Sequence, residues 1–188
     1  MPTIAQPMTA EQFLALPVPQ RGRPWNLVDG EVVVNEPSAL HEHVQRRLLL
    51  AFESWLSAAG ARGTVRLPLD VGLDGGNVFA PDILWYAESR APGPRDAPPV
   101  PLPDLAVEIR SPSTWRYDIG IKKATYERHG LPELWLVDTA ADAVLVYRRM
   151  ARGSVTFDVA LELSASDQLT SPQLEGFAIA VADLFPPR

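Results

Sequence analysis

The chain has 188 residues, of which 46% are apolar, with a formal net charge of -6 and no cysteine. This length fills one core well and two poorly, so residues 1–188 are expected to form a single domain. The missing cysteines exclude disulfides, thiolate catalysis and thiolate-bound zinc, and the acidic balance excludes a broad basic surface, so a nucleic acid would have to be held by a local patch or by dimer-generated geometry.

In chain order, the start MPTIAQPMTAEQFLAL lacks the basic flank and apolar run of a secretion signal. No stretch reaches the roughly 18–20 apolar residues of a membrane span, so a cytoplasmic protein without membrane contact is expected. Thr9 can cap a short helix over the MTAEQFLAL segment, and PWNLVDGEVVVNEP predicts a hairpin turning at Asp29-Gly30. From about Leu40 to Ala59, Val44, Leu48, Leu49, Phe52, Trp55 and Leu56 recur at helical spacing, with Gly60 placed to end the helix. TVRLPLDVGL predicts an edge or bulged strand interrupted at Pro68, and VFAPDILWY a strand with Asp82 near its start.

The stretch APGPRDAPPVPLP holds six prolines in thirteen residues, which makes it an extended surface connection rather than a helix or central strand. AVEI continues the sheet, and Ser111-Pro112-Ser113-Thr114 opens a helix that runs through Asp118, Lys122 and Tyr126 to Gly130. ELWLVD, AVLVYRR and SVTFDVALEL predict three more strands, and LEGFAIAVADLF an apolar closing segment that could be core or interface. Strands that both adjoin and alternate with helices predict a mixed α/β (α+β) sheet flanked by helices. Trp25, Trp55, Trp85 and Trp115 are thirty residues apart, but their flanks share nothing and the spacing carries no repeat.

Two carboxylates, Asp82 and Glu108, fall inside apolar segments. A buried ionised carboxylate costs several kcal/mol even after relaxation, so each needs a cation, a lysine or a set of donors. On adjacent strands the two could chelate a hard cation such as magnesium or manganese. Equally, Asp82 could simply follow a proline in a turn, and Glu108 could pair with Arg66 or Arg110. Lys122 shares a helical face with Asp118 and Tyr126 while Lys123 is turned away, although Asp118 and Lys122 also suit an ordinary i,i+4 ion pair. His41 and His43 do not make a zinc pair on a helix. His129 suits the C-terminal end of its helix, and Ser111 suits a turn or cap. Arg21 and Arg23, Arg46 and Arg47, Lys122 and Lys123, and Arg148 and Arg149 form small basic pairs that could line a groove or be solvated separately.

MTAEQFLALP, LVDGEVVV, His41, Pro81-Asp82, VEIRSPST, the series Asp118, Lys122, Tyr126 and Gly130, ELWLVD and LEGFAI together resemble, over nearly the whole chain, the PD-(D/E)XK nuclease superfamily. The resemblance is closest to the Uma-type restriction endonucleases. It implies a restriction-endonuclease-like α/β/α core with an added N-terminal hairpin and strands, and a metal (Mg2+ or Mn2+) held by Asp82, Glu108 and the Ile109 carbonyl. It further implies hydrolysis of phosphodiester bonds, in DNA, by a metal-activated water. Arg110 stands where the superfamily carries its catalytic lysine, and Uma-type sequences shift that lysine to the following helix, here Lys122. Asn26 stands where the family shows a glutamate. With His41 and Tyr126, Asn26 completes an accessory set. Cutting a duplex needs two sites, which implies a homodimer. The alternative is a catalytically degenerate nuclease-fold module for nucleic-acid binding or protein interaction. A glycosidase acid and base pair is a third reading, separable by its independence from metal.

Overall fold

A computed structural model describes residues 7–17, 25–58 and 62–187. The first helix, α1 (Ala10–Leu14), carries the expected cap, with Thr9 and Gln12 closing a reciprocal capping box. Strands β1 (Trp25–Val28) and β2 (Glu31–Val34) form the hairpin, turning through Asp29 at φ 46° and Gly30 at φ 79°. Helix α2 (Ala39–Leu56) starts at a Ser38 cap and buries Val44, Leu48 and Phe52, while Ala59 and Gly60 lie outside the described residues.

Two predicted strands are each divided between two sheets. TVRLPLDVGL becomes β3 (Thr64–Arg66) and β4 (Val71–Asp74), while VFAPDILWY becomes β5 (Asn77–Phe79) and β6 (Ile83–Tyr86). In both, the break lies around a proline, which offers no N–H to continue a ladder. At the second break the freed Ala80 N–H goes instead to the Asn26 side chain, at 2.9 Å. Four strands form one antiparallel sheet in the order β2-β1-β5-β4.

The larger sheet has the order β10-β9-β8-β7-β6-β3, built with β7 (Leu105–Ile109), β8 (Glu133–Asp138), β9 (Ala143–Arg148) and β10 (Val159–Leu163). Only β7 and β8 run parallel, because a helical crossover joins them. That crossover is α3 (Trp115–Tyr117), a π-helical segment over Asp118–Lys122, and α4 (Lys123–Arg128), with Gly130 at φ 85° closing it. A small ribbon of β11 (Gln168–Thr170) and β12 (Ala178–Ala180) and a 3-10 turn (Val181–Leu184) complete the chain. Among the described residues no helix is long and apolar enough to cross a membrane.

Alternation along the strands sorts the side chains between the two faces. Leu105, Val107 and Ile109 on β7, with Trp135 and Val137 on β8, pack against Val44, Leu48 and Phe52 of α2. The closing segment joins this core through Phe177, Val181, Leu184 and Phe185. Ala106, Leu134 and Leu136 face the other way, against Tyr126, Leu131 and Phe79. Helices therefore cover both faces of a mixed sheet, and Glu108 belongs by parity to the face covered by α4.

Candidate active site

Strand pairing brings the two sequence-predicted acids together. Ile83 pairs with Val107 and Leu84 with Ala106, so one further step of the same register sets Asp82 opposite Glu108. Asp82 then finishes the ladder with its side chain, Oδ2 accepting from the Ile109 N–H at 2.7 Å. Gln45 of α2 donates to the Asp82 carbonyl at 2.9 Å, fixing the strand start against the helix. Neither acid is held by the arginines considered above. Arg110 pairs with Asp138 at 2.8 Å and lies 5.5 Å from the Trp115 ring centroid, and Arg66 donates to backbone carbonyls.

Lys122 is the cation that reaches Glu108. Its Nζ lies 2.8 Å from Glu108 Oε2 and 2.9 Å from Asp118 Oδ1, and all three groups are buried. Asp118 and Lys122 lie four residues apart on the π-helical segment, on one side of it, and both are buried. Tyr126 donates to Glu108 Oε1 at 2.7 Å, and Thr114 donates to Asp118 Oδ2 at 3.3 Å instead of capping α3. Lys123 lies apart, 4.5 Å from the Tyr147 ring centroid. His41 is 3% exposed, its Nε2 3.1 Å from Asp82 Oδ1 but off the hydrogen-bond axis.

Other expectations change. Ser111 is buried, but its hydroxyl has no partner and caps nothing; only its carbonyl serves the turn. His129 does sit at the end of α4, where Asp74 meets its ring at 3.1 Å. Of the basic pairs, Arg148 and Arg149 are consumed by Glu133 and by backbone carbonyls, Lys122 is buried, and Arg21 and Arg23 lie outside the described residues. Gln45 carried no sequence signal and Thr114 only that of a helix start, because their contacts depend on how the π segment and α2 dock.

The electrostatics follow from burial. Desolvation raises the Glu108 carboxyl to about 7; Asp118 and Asp82 add to the rise and Lys122 opposes it. Burial alone would lower the Lys122 pKa, but Asp118 and then Glu108 outweigh it and hold the ammonium above its ordinary range. Asp118 contributes most to that hold, so Lys122 keeps its proton and Glu108 is the group that titrates near neutrality. A lysine held in this way is a charged hydrogen-bond donor to both carboxylates. Burial also opposes protonation of His41, yet Asp82, Glu108 and Asp118 raise its pKa. Tyr126 is raised well above the usual range, by burial first and then by Glu108, and stays a neutral donor.

Three acids thus face one permanent cation and one imidazole. A carboxylate offers about four acceptor sites, while each Glu108 oxygen takes only one partner here. Surplus charge and spare oxygen capacity suit a hard divalent cation. Among the described residues, no group of three or more histidines and acids converges in metal-binding geometry, so the Ile109 carbonyl would have to supplement Asp82 and Glu108.

A family model, Uma2, described as "Putative restriction endonuclease", matches residues 10–182. A crystal structure described as "a putative nuclease belonging to DUF820" from Anabaena variabilis ATCC 29413 superposes with a TM-score of 0.75 at 21% identity, covering 95% of this chain and 98% of that one. That likeness shows the shared fold. No curated protein matches the chain.

Proposed function

The chain belongs to the Uma2 family, and from that premise we propose that it is a metal-dependent nuclease that hydrolyses phosphodiester bonds of DNA. The observation that carries the reading is the buried contact of Lys122 with Glu108 and Asp118 beside a buried Asp82 that the β6–β7 register sets opposite Glu108, a costly arrangement with surplus negative charge. Asp82, Glu108 and the Ile109 carbonyl would hold Mg2+ or Mn2+. When bound, such a cation supplies Lewis-acid polarisation and a lowered pKa for attacking water. Lys122, kept charged by Asp118, is placed to stabilise negative charge developing on the phosphate oxygens. Tyr126 holds Glu108 in place, His41 sits against Asp82, and Asn26 fixes the backbone two residues before Asp82.

The test is cleavage of supercoiled plasmid, linear duplex, single-stranded DNA and RNA with magnesium, manganese or EDTA. Cation-dependent cleavage lost in a folded Asp82→Asn variant supports the reading. Binding without cleavage under every condition replaces it with the degenerate binding module, a reading favoured by the use of Asn26 as a backbone clamp and of Arg110 as a partner for Asp138. Because cutting both strands of a duplex needs two sites, the proposal includes a homodimer. Light scattering that shows only monomer, unchanged by DNA with calcium, refutes that part.

A further inference from the structure

We propose that Arg116 seats the phosphodiester backbone of the substrate at the edge of the acid cluster, held for that task by Tyr117 and Glu31. The inference takes its substrate class from the nuclease reading, but the docking contact is independent of cleavage. A polyanion approaching Asp82, Glu108 and Asp118 is repelled unless a cation stands at the approach. Several of the basic residues do not meet that need. Lys122 is buried, Lys123 is turned away from the cluster toward Tyr147 and Phe157, Arg47 donates to the Asp183 carbonyl at 2.7 Å, and Arg148 and Arg149 bind Glu133 and backbone carbonyls. Arg110, close to the cluster, is compensated by Asp138.

Arg116 differs on each count. It is exposed and stands two residues before Asp118, on the turn that leads into the π segment. Its guanidinium carbon lies 4.7 Å from the Tyr117 ring centroid, and Nη2 donates to the Tyr117 hydroxyl at 2.8 Å. That hydroxyl in turn donates to Glu31 Oε1 at 3.2 Å, tying the turn to the β1–β2 hairpin. No carboxylate among the described residues meets Arg116 directly, and most of its donors remain unpartnered there. A planar fork stacked and oriented in advance loses little freedom on gripping a phosphate. Tyr117 and Glu31 are therefore positioning residues, and Arg116 is the contact.

The experiment is fluorescence anisotropy with a short labelled DNA oligonucleotide in calcium, using wild type, Arg116→Ala, Arg116→Lys, Tyr117→Phe and, as a charge control, Arg46→Ala. Arg116→Ala is expected to weaken binding about tenfold or more. It should also reduce the slope of log affinity against log salt by about 1. Arg116→Lys should recover part of the affinity, Tyr117→Phe should fall between wild type and Arg116→Ala, and in cleavage assays the loss should fall on KM. Equal affinity and slope in wild type and a folded Arg116→Ala overturn the proposal, as does an equal loss in Arg46→Ala or the absence of wild-type binding. Binding through Arg116 with no cleavage in magnesium or manganese keeps the docking site and rejects the nuclease. Cleavage with an unchanged KM in Arg116→Ala keeps the nuclease and rejects the docking site.

Discussion

Glu108→Gln is expected to stabilise the protein above neutral pH while abolishing cleavage. The Glu108 carboxyl is raised from 4.5 to about 7, chiefly by burial, with Asp118 and Asp82 adding to it and Lys122 working against it. A folded-state pKa above the unfolded one means that ionisation costs stability. The cost is absent below about 4.5, grows as pH rises, and is complete above about 7. The difference, 7 minus 4.5, at about 1.36 kcal/mol per pH unit gives about 3 kcal/mol. Gln keeps both contacts, since its carbonyl can accept from Lys122 and its amide can donate to the Tyr126 oxygen, and Lys122 retains Asp118 as its counter-charge. Urea or thermal melts in EDTA should show the two proteins matched near pH 4.5, with the variant ahead by about 3 kcal/mol at pH 8, or about 6–12 °C for a chain of this size. A variant that is less stable at pH 8, or a gap that does not change with pH, would refute the reasoning. Either result would mean that the attraction of Lys122 outweighs burial and that Glu108 is an ordinary ion-pair partner.

Magnesium or manganese at ten times its dissociation constant should add about 1.4 kcal/mol to the wild type and nothing to Glu108→Gln, and coincident wild-type melting curves at millimolar cation would rule out the metal site. Lys122→Ala should lose cleavage and about 3–5 kcal/mol of stability, because Glu108 and Asp118 are left buried without their cation. Lys123→Ala should largely spare cleavage and cost about 0.5–1 kcal/mol for its ring contact, so equal activities in the two folded variants would exclude the displaced-lysine assignment. Glu133→Gln, in contrast to Glu108→Gln, should destabilise by about 3 kcal/mol at neutral pH, as read from urea midpoints.

Much of this was legible in the sequence where signals are local. The apolar spacing of Val44, Leu48 and Phe52 located α2, and Asp29-Gly30 located the hairpin turn. The shared face of Asp118, Lys122 and Tyr126 correctly separated Lys122 from Lys123. What escaped depends on partners distant in sequence. The run VFAPDILWY is apolar apart from Asp82, so nothing but Pro81 hinted that the chain leaves one sheet and enters another. The donor that makes the break tolerable is accepted by Asn26, 54 residues away. The π winding of Asp118–Lys122 left no signature in the sequence. The burial of His41 beside Asp82 depends on the placement of α2 against the start of β6, which no local pattern announces.

Two buried glutamates in adjacent strands separate structure from chemistry. Glu133 is 1% exposed, and each of its oxygens has two donors. Oε1 accepts from the Trp135 indole at 2.7 Å and Arg148 at 2.8 Å, and Oε2 from Ser171 at 2.6 Å and Gln173 at 3.3 Å. Its charge is compensated, and the donors come from β8, β9 and the segment after β11, so this carboxylate pins the closing segment to the sheet. Glu108 is 4% exposed, yet it has one donor on each oxygen, shares its lysine with Asp118 and lies near Asp82. The same residue type at similar burial is saturated in one place and left short in the other. Fold stability alone would favour the saturated arrangement, or an apolar side chain, at both positions. The shortfall at Glu108 is therefore the part of the structure that the proposed cation would relieve.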